Sequence, residues 1–219
     1  MSSLALMRWL ESAPQRYDAG MRMLTLGRID RLHAAAVAAA TRASGAMVLE
    51  VGCGTGAVTA AMVGRGARVT ALDQNPEMLE QARARLRSAP EEGVEWLERS
   101  AAEIDALAPG GYDSVVASLS LSEMSVSERR YVLRAASERL REGGVLVVAD
   151  EVRPRGVLQR LVVGLARLPQ VAVAWLVAGV LSHPIRDLTN ELEGAGFRVT
   201  SEQRWLLGSL AVVVAEPVG

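Results

Sequence analysis

Lysine is absent from this chain, and all 24 of its basic residues are arginine. The 25 acidic residues nearly balance them, so the formal net charge at pH 7 is −1. A general nucleic-acid binder normally carries a clear excess of basic residues. The charge balance therefore predicts that the chain has no nucleic-acid partner.

Cysteine and histidine are also scarce. The one cysteine, Cys53, excludes a disulfide framework and is typical of the reducing cytoplasm, which is the expected location. The two histidines, His33 and His183, lie far apart, and no Cys/His cluster has the spacing of metal ligands, so no metal is expected. Cys53 lies in a glycine-rich loop, where we interpret it as a small residue beside the backbone rather than as a nucleophile.

Long apolar runs are missing too, so no transmembrane segment is expected. The run from Val171 to Leu181 has roughly half the length that a membrane-spanning helix needs. Arg160, Arg167 and Pro169 interrupt the longer stretch from Val157 to Leu181. We interpret this stretch as a helical lid over an apolar pocket, and peripheral contact with a membrane surface is the alternative.

The most informative segment that is present joins the apolar run Met47–Val51 to three glycines, Gly52, Gly54 and Gly56, and then to an alanine-rich stretch. The apolar run predicts a buried parallel strand, and the alanine-rich stretch predicts a helix. Glycines between the two let the chain turn sharply and let a ligand press against the backbone, because no Cβ stands in the way. Strand, turn and helix together predict a site for a nucleotide or nucleoside.

Two acidic residues narrow the choice of ligand. The spacing of Gly52, Gly54 and Ala57 also satisfies the dinucleotide fingerprint, so the glycines alone leave NAD and a purely structural turn open. Glu50 would repel a pyrophosphate but would suit the sulfonium and amino group of S-adenosylmethionine. Asp73, at the end of a second predicted strand, is placed to accept the ribose hydroxyls of either cofactor.

Strand and helix patterns alternate along the chain, which predicts one α/β domain with a doubly wound sheet. One predicted helix runs from Pro76 to Arg87 with proline at its first position. Another runs from Ser127 to Arg141, with Ser127 as N-cap. The predicted strands are Met47–Val51, Arg68–Asp73, Val94–Leu97, Ser114–Ala117, Val145–Ala149, Phe197–Ser201 and Leu210–Ala215.

The glycine motif and the segment Leu72–Leu79 make the chain, from Met47 to Glu216, resemble the class I S-adenosylmethionine-dependent methyltransferases. The resemblance implies a Rossmann-like fold: a seven-stranded, mostly parallel sheet whose last two strands form an antiparallel hairpin. It also implies S-adenosylmethionine as cofactor, S-adenosylhomocysteine as product, and an in-line methyl transfer that depends mainly on alignment of the reacting atoms. We therefore expect one domain, 1–219, made of an N-terminal helical cover (1–44), a cofactor-binding core (45–153), an apolar helical lid insertion (154–183) and a C-terminal helix with the strand hairpin (184–219).

Open α/β sheets bind ligands at the carboxyl ends of their strands, and the site residues are expected there. Many relatives carry an acid near Ala101 and a histidine pair where this chain has Ser122 and Glu123, so a histidine base is not expected at that point. The residues expected at the cofactor are Tyr17, Glu50, Gly52, Cys53, Gly54, Gly56, Asp73, Gln74, Met78, Ala101, Ala102, Glu103 and Ser118. The catalytic candidates on the acceptor side are Glu123, Glu151 and His183, and a structural role in a loop or helix start is the alternative for each.

Short segments are similar to a narrower group, the corrinoid protein-associated methyltransferases: Glu11–Met21, Ser120–Glu123, Ala149–Pro154 and Ser182–Pro184. That similarity implies a corrinoid-linked pathway but does not identify the methyl acceptor. The apolar run from Val171 to Leu181 favours instead a quinone or lipid-like small molecule as acceptor. A non-catalytic protein that binds S-adenosylmethionine is the remaining alternative, because the glycine motif does not separate an enzyme from a sensor.

Overall fold

The computed structural model describes residues 18, 21–22, 25, 27–87, 93–156, 159 and 184–218. The expected cofactor residue Tyr17 and the catalytic candidate His183 lie outside these residues. So does the stretch predicted as a lid, Val157 to Leu181, apart from Gln159.

The described strands form one seven-stranded sheet. They are β1 Met47–Val51, β2 Arg68–Asp73, β3 Val94–Glu98, β4 Tyr112–Ser118, β5 Leu140–Glu151, β6 Phe197–Trp205 and β7 Leu210–Pro217. Their order is β3-β2-β1-β4-β5-β7-β6, with β1 to β5 parallel and β7 antiparallel to both of its neighbours. The predicted α/β fold, a mostly parallel sheet with an antiparallel hairpin at one edge, is confirmed.

Helices connect the strands. Those described are α1 Ile29–Ala40, α2 Ala57–Val63, α3 Pro76–Arg85, α4 Val126–Arg139 and α5 Leu188–Gly194, with 3₁₀ segments at Ala101–Ala106, Leu121–Glu123 and Leu206–Gly208. No helix in the described part of the chain is both long enough and apolar enough to cross a membrane.

Alternating side chains along each strand fill two core layers, as the two-residue period of a strand requires. In β1, Val48 packs in one layer, whereas Leu49 packs in the other. Helices α1, α2 and α3 cover the first layer, and α4 and α5 cover the second. Both faces of the sheet are therefore buried, and the carboxyl ends of the parallel strands form the edge where a ligand can bind.

Three helix ends differ from the sequence prediction. Ser125, not Ser127, is the N-cap of α4, and its Oγ accepts a hydrogen bond from the backbone N–H of Glu128 at 3.2 Å. Two serines stand close together at this helix start, and only the first adopts the extended backbone that a cap needs. Helices α3 and α4 end at Arg85 and Arg139, two residues before their predicted ends.

Candidate active site

A cavity of about 310 Å³ opens at the carboxyl ends of β1, β2 and β4. Its volume lies within the range of small-molecule binding sites. Asp18, Met21 and Arg22 contribute to its wall from the N-terminal segment, and His33 contributes from α1. Ten residues that were expected from the sequence line it: Glu50, Gly52, Cys53, Gly54, Asp73, Gln74, Met78, Ala101, Ser118 and Glu123.

The three glycines of the loop have three different roles, although all have positive φ values. A Cβ at Gly52 would lie 2.6 Å from the Cβ of Ser120, so Gly52 lets the loop pass the residues that follow β4. A Cβ at Gly54 would meet no protein atom within 4 Å, so this glycine faces the open cavity. A Cβ at Gly56 would lie 2.8 Å from the Cβ of Ala82, so Gly56 lets α2 start against α3.

Asp73 ties the glycine loop to the end of β2. Its Oδ2 accepts a hydrogen bond from the Gly54 N–H at 2.8 Å, and its Oδ1 accepts one from the Asn75 N–H at 2.9 Å. Each carboxylate oxygen has a second lone pair, which leaves both of them able to accept a ribose hydroxyl. Burial raises the pKa of Asp73, whereas its two backbone hydrogen bonds lower it.

Glu50 is the more deeply buried acid, with 1% of its surface exposed. Thr59 Oγ1 donates to Glu50 Oε2 at 2.6 Å. Burial raises the pKa of Glu50 to about 8, although the hydrogen bond from Thr59 lowers it and the nearby Asp73 raises it further. A cation in the cavity beside Glu50 would favour its ionised form.

Cys53 is buried between these acids. Burial, followed by the charges of Glu50 and Asp73, raises the pKa of its thiol well above the ordinary value. A nucleophilic cysteine needs a lowered pKa, so these surroundings do not favour Cys53 as a nucleophile.

Four expected site residues are described but lie outside the lining of the cavity. Gly56 packs between helices, as above, and Ala102 donates its N–H to the Oγ of Ser100. Glu103 accepts from the Ser100 N–H at 2.9 Å and so completes the capping box of a 3₁₀ segment. Glu151 lies on β5 and pairs with Leu210 of β7.

Several residues at the cavity were not expected from the sequence. Asp18 accepts a hydrogen bond from Thr55 Oγ1 at 2.8 Å and forms an ion pair with Arg85, so it joins the glycine loop to the end of α3. His33 is half-buried, and its burial lowers the pKa below 6.5 despite the charges of Asp30 and Asp18. No local motif marks any of them, since each reaches the cavity through contacts between residues distant in sequence.

The cavity is bounded on one side by the end of β4 and by the residues that follow it. Ser118, Leu119, Ser120, Glu123 and Met124 all line it. The Oγ of Ser118 is buried and has no hydrogen-bond partner among the described residues. A buried hydroxyl without a partner is costly in a folded protein, so this atom is suited to contact a ligand.

Carboxylates outnumber guanidinium groups around the described part of the cavity. The six acidic residues are Asp18, Asp30, Glu50, Asp73, Glu123 and Glu128, and the three arginines are Arg22, Arg85 and Arg99. Such a site attracts a cation and repels an anion. Among the described residues, no three His, Cys, Asp or Glu side chains are grouped as metal ligands would be.

A cationic nucleoside fits these residues. The open space at Gly54 admits a ligand against the backbone, Asp73 has lone pairs for ribose hydroxyls, and among the described residues no cationic side chain offsets the buried Glu50. The cationic end of S-adenosylmethionine would stabilise the ionised form of Glu50, whereas the pyrophosphate of NAD would oppose its ionisation. Asp73 and the Gly54 backbone would hold the nucleoside, and Glu50 would face the cationic end of the cofactor.

Comparison with known proteins agrees with this assignment. A family model described as a methyltransferase domain matches residues 48–144. The ubiquinone biosynthesis O-methyltransferase of Xanthomonas campestris pv. campestris is 32% identical to this chain, and the alignment covers 69% of this chain and 72% of that protein.

Two solved structures share the fold. The mitomycin 7-O-methyltransferase matches 99% of this chain with a TM-score of 0.67 and 22% identity, and this chain spans 61% of its length. A 1,6-didemethyltoxoflavin-N1-methyltransferase of Burkholderia thailandensis, solved with its substrate and S-adenosylhomocysteine, gives a TM-score of 0.66 at 19% identity and covers 94% of this chain and 91% of its own. With the Xanthomonas relative at 32% identity over most of its length, the chain belongs to the class I S-adenosylmethionine-dependent methyltransferases and takes its methyl group from that cofactor.

Proposed function

We propose that the protein is an O-methyltransferase whose acceptor is an uncharged, hydroxylated aromatic small molecule. The observation that carries this proposal is the similarity to ubiquinone biosynthesis O-methyltransferases, at 32% identity over 72% of such a protein. The two solved structures named above are also methyltransferases of small molecules by their names, and they support the coarser statement.

The charges of the cavity support an acceptor without a carboxylate. Glu123 and Glu128 line the cavity, and the acidic residues of its described lining outnumber the arginines. An anionic acceptor would approach these carboxylates, and like charges repel. A neutral phenol avoids this repulsion.

Two side chains are candidates for the base that removes the phenolic proton. Glu123, a catalytic candidate from the sequence, lies in the 3₁₀ turn after β4, and His33 lies on α1. Burial lowers the pKa of His33, which favours the neutral imidazole, the form that is able to accept a proton. When bound, S-adenosylmethionine supplies the electrophilic methyl group.

The apolar run Val171–Leu181 supports an acceptor that carries an apolar tail. The run lies outside the described residues, and its sequence is composed of Val, Ala, Leu and Trp with a single Gly. We propose that this run covers the acceptor. Flotation with vesicles tests the alternative of membrane contact. If the wild-type protein floats with the vesicles and the Trp175→Glu variant does not, a membrane-bound acceptor is favoured over a lid.

The experiment that tests the function is a transfer assay with labelled S-adenosylmethionine and three matched acceptors. Hexylcatechol, catechol and protocatechuate share the phenolic pair but differ in an apolar tail and in a carboxylate. We expect hexylcatechol to react fastest and protocatechuate slowest. Calorimetric binding of S-adenosylhomocysteine serves as the control that the cofactor site is intact.

Protein that binds S-adenosylhomocysteine but methylates none of the phenols would contradict the proposal. Methylation of cob(I)alamin in the same assay would point instead to the corrinoid-linked pathway, which no contact among the described residues favours. Cofactor binding without transfer to either class of acceptor would point to a non-catalytic binding protein.

A further inference from the structure

One buried arginine holds the turn that carries the acceptor-side residues. We define the acceptor turn as Ser120–Met124, which includes the 3₁₀ segment Leu121–Glu123. Glu123 and Met124 of this turn line the cavity. The position of the turn therefore sets the shape of the acceptor side.

Arg129, on α4, contacts the turn through its guanidinium group. Its Nη1 donates to the carbonyl oxygen of Met124 at 2.7 Å and to that of Leu121 at 3.3 Å. Its Nε and Nη2 donate to the two carboxylate oxygens of Glu191, on α5, at 2.7 and 3.0 Å. The guanidinium group of Arg129 thus joins α4 to α5 and to two backbone carbonyls of the turn.

Other contacts hold the same turn from the opposite side. Ser120 Oγ donates to the carbonyl oxygen of Val51 at 2.8 Å, and the N–H of Ser122 donates to Asp150 Oδ2 at 3.1 Å. Asp150 is fully buried at the end of β5. The turn is therefore fixed relative to β1 and β5 as well as to α4.

Stability alone is a weak reason for this arrangement. The side chains of Arg129 and Glu191 are 7% and 12% exposed, so both charges have lost most of their water. A buried ion pair often stabilises a fold no more than an apolar pair of the same volume. The guanidinium fork, in contrast, lets one side chain hold both oxygens of Glu191 through Nε and Nη2 and still donate from Nη1 to the two turn carbonyls.

We propose that Arg129 is a positioning residue that holds the acceptor turn, and through it Glu123 and Met124, in the geometry that methyl transfer requires. The proposal rests on the proposed function for its consequence in turnover. Its structural part, that Arg129 orders this turn in particular, is testable without any acceptor.

The test uses three variants of the full chain. Arg129→Lys keeps the charge but loses the fork of donors. The double variant Arg129→Met with Glu191→Met removes the ion pair without leaving a buried charge unpaired. Arg139→Lys is the matched control, because Arg139 is another buried arginine of α4, and it donates to the carbonyl oxygens of Ile104 and Asp105 away from the cavity.

Four measurements apply to each variant: the calorimetric affinity for S-adenosylhomocysteine, the melting temperature with this ligand bound, amide hydrogen exchange of the peptide that contains the acceptor turn, also with the ligand bound, and kcat/KM for hexylcatechol. For Arg129→Lys we expect exchange in the turn to rise and kcat/KM for hexylcatechol to fall by about tenfold or more. We expect S-adenosylhomocysteine affinity to stay within about twofold, because Arg129 does not line the cavity. Arg139→Lys should leave the turn and the turnover unchanged.

The double methionine variant separates positioning from stability. We expect its melting temperature to lie at or near that of the wild type, while the turn still exchanges fast and turnover stays low. Recovery of both turn protection and turnover in this variant would overturn the proposal, as would wild-type exchange in Arg129→Lys or equal losses in Arg139→Lys. If no phenol is methylated even by the wild type, the proposed function fails, and the exchange data still decide whether Arg129 orders the turn.

Discussion

Glu50→Gln gives the sharpest test of the cofactor site. The substitution keeps the size of the side chain and its contact with Thr59 but removes the ionisable group. In the ligand-free protein, burial raises the pKa of Glu50 from 4.5 to about 8. By the conversion of about 1.4 kcal/mol for each pH unit, the charge costs roughly 5 kcal/mol in the empty site.

The sign of the stability effect follows from proton binding. Because the pKa of Glu50 is higher in the folded than in the unfolded protein, the folded state binds more protons between about pH 4.5 and pH 8. The contribution of Glu50 to the free energy of unfolding of the ligand-free protein therefore falls as the pH rises through this window. Glu50→Gln should lose less stability than the wild type between pH 5 and pH 8, although Asp150, whose pKa burial raises to about 6, still titrates in both proteins. Thermal melts at pH 5 and pH 8 measure the difference.

Ligand binding should reverse the protonation. The cationic amino group of S-adenosylhomocysteine favours the ionised form of Glu50, so binding at pH 7 should release between about half a proton and one proton. Calorimetry in two buffers with different ionisation enthalpies measures this number. Equal proton release by the wild type and Glu50→Gln, or equal pH dependence of their melting temperatures, would refute the reasoning.

Three further variants test the cavity. Asp73→Asn should weaken S-adenosylhomocysteine binding by about 1.5–3 kcal/mol for each charge-assisted hydrogen bond lost; unchanged calorimetric affinity would mean that Asp73 does not hold the ribose. Gly54→Val should abolish binding, since it fills the open space above the loop and strains a positive φ, and normal binding by a folded variant would make the loop a structural turn. Asp18→Asn should speed ligand dissociation in stopped-flow experiments, because Asp18 joins Thr55 to Arg85. The lost interaction at this partly exposed pair contributes no more than about 1 kcal/mol, so the increase in rate should be small. Identical dissociation rates would show that these contacts do not retain the ligand.

The sequence predicted the sheet well because the features that define it are local. An apolar strand, a glycine turn and an acid at the next strand end appear as neighbours along the chain. The glycines were predicted as a group, however, and only the structure separates Gly54, which faces the cavity, from Gly56, which packs against Ala82.

The rest of the site depends on contacts that no local pattern encodes. Asp18 meets Arg85, and Arg129 meets Glu191, across 67 and 62 positions of the chain. Glu151 pairs with Leu210 of β7 and lies outside the described lining of the cavity, and its catalytic role stays a prediction. Asp150, one residue earlier, points instead to the acceptor turn.

The central claim is tested most directly by incubating the purified protein with S-adenosylmethionine and hexylcatechol and analysing both products by mass spectrometry. The account predicts one O-methylated catechol for each S-adenosylhomocysteine formed, with both products absent for Gly54→Val. The claim would be contradicted if the protein binds S-adenosylhomocysteine but leaves the catechol unmethylated, whether methyl groups appear on another acceptor or on none.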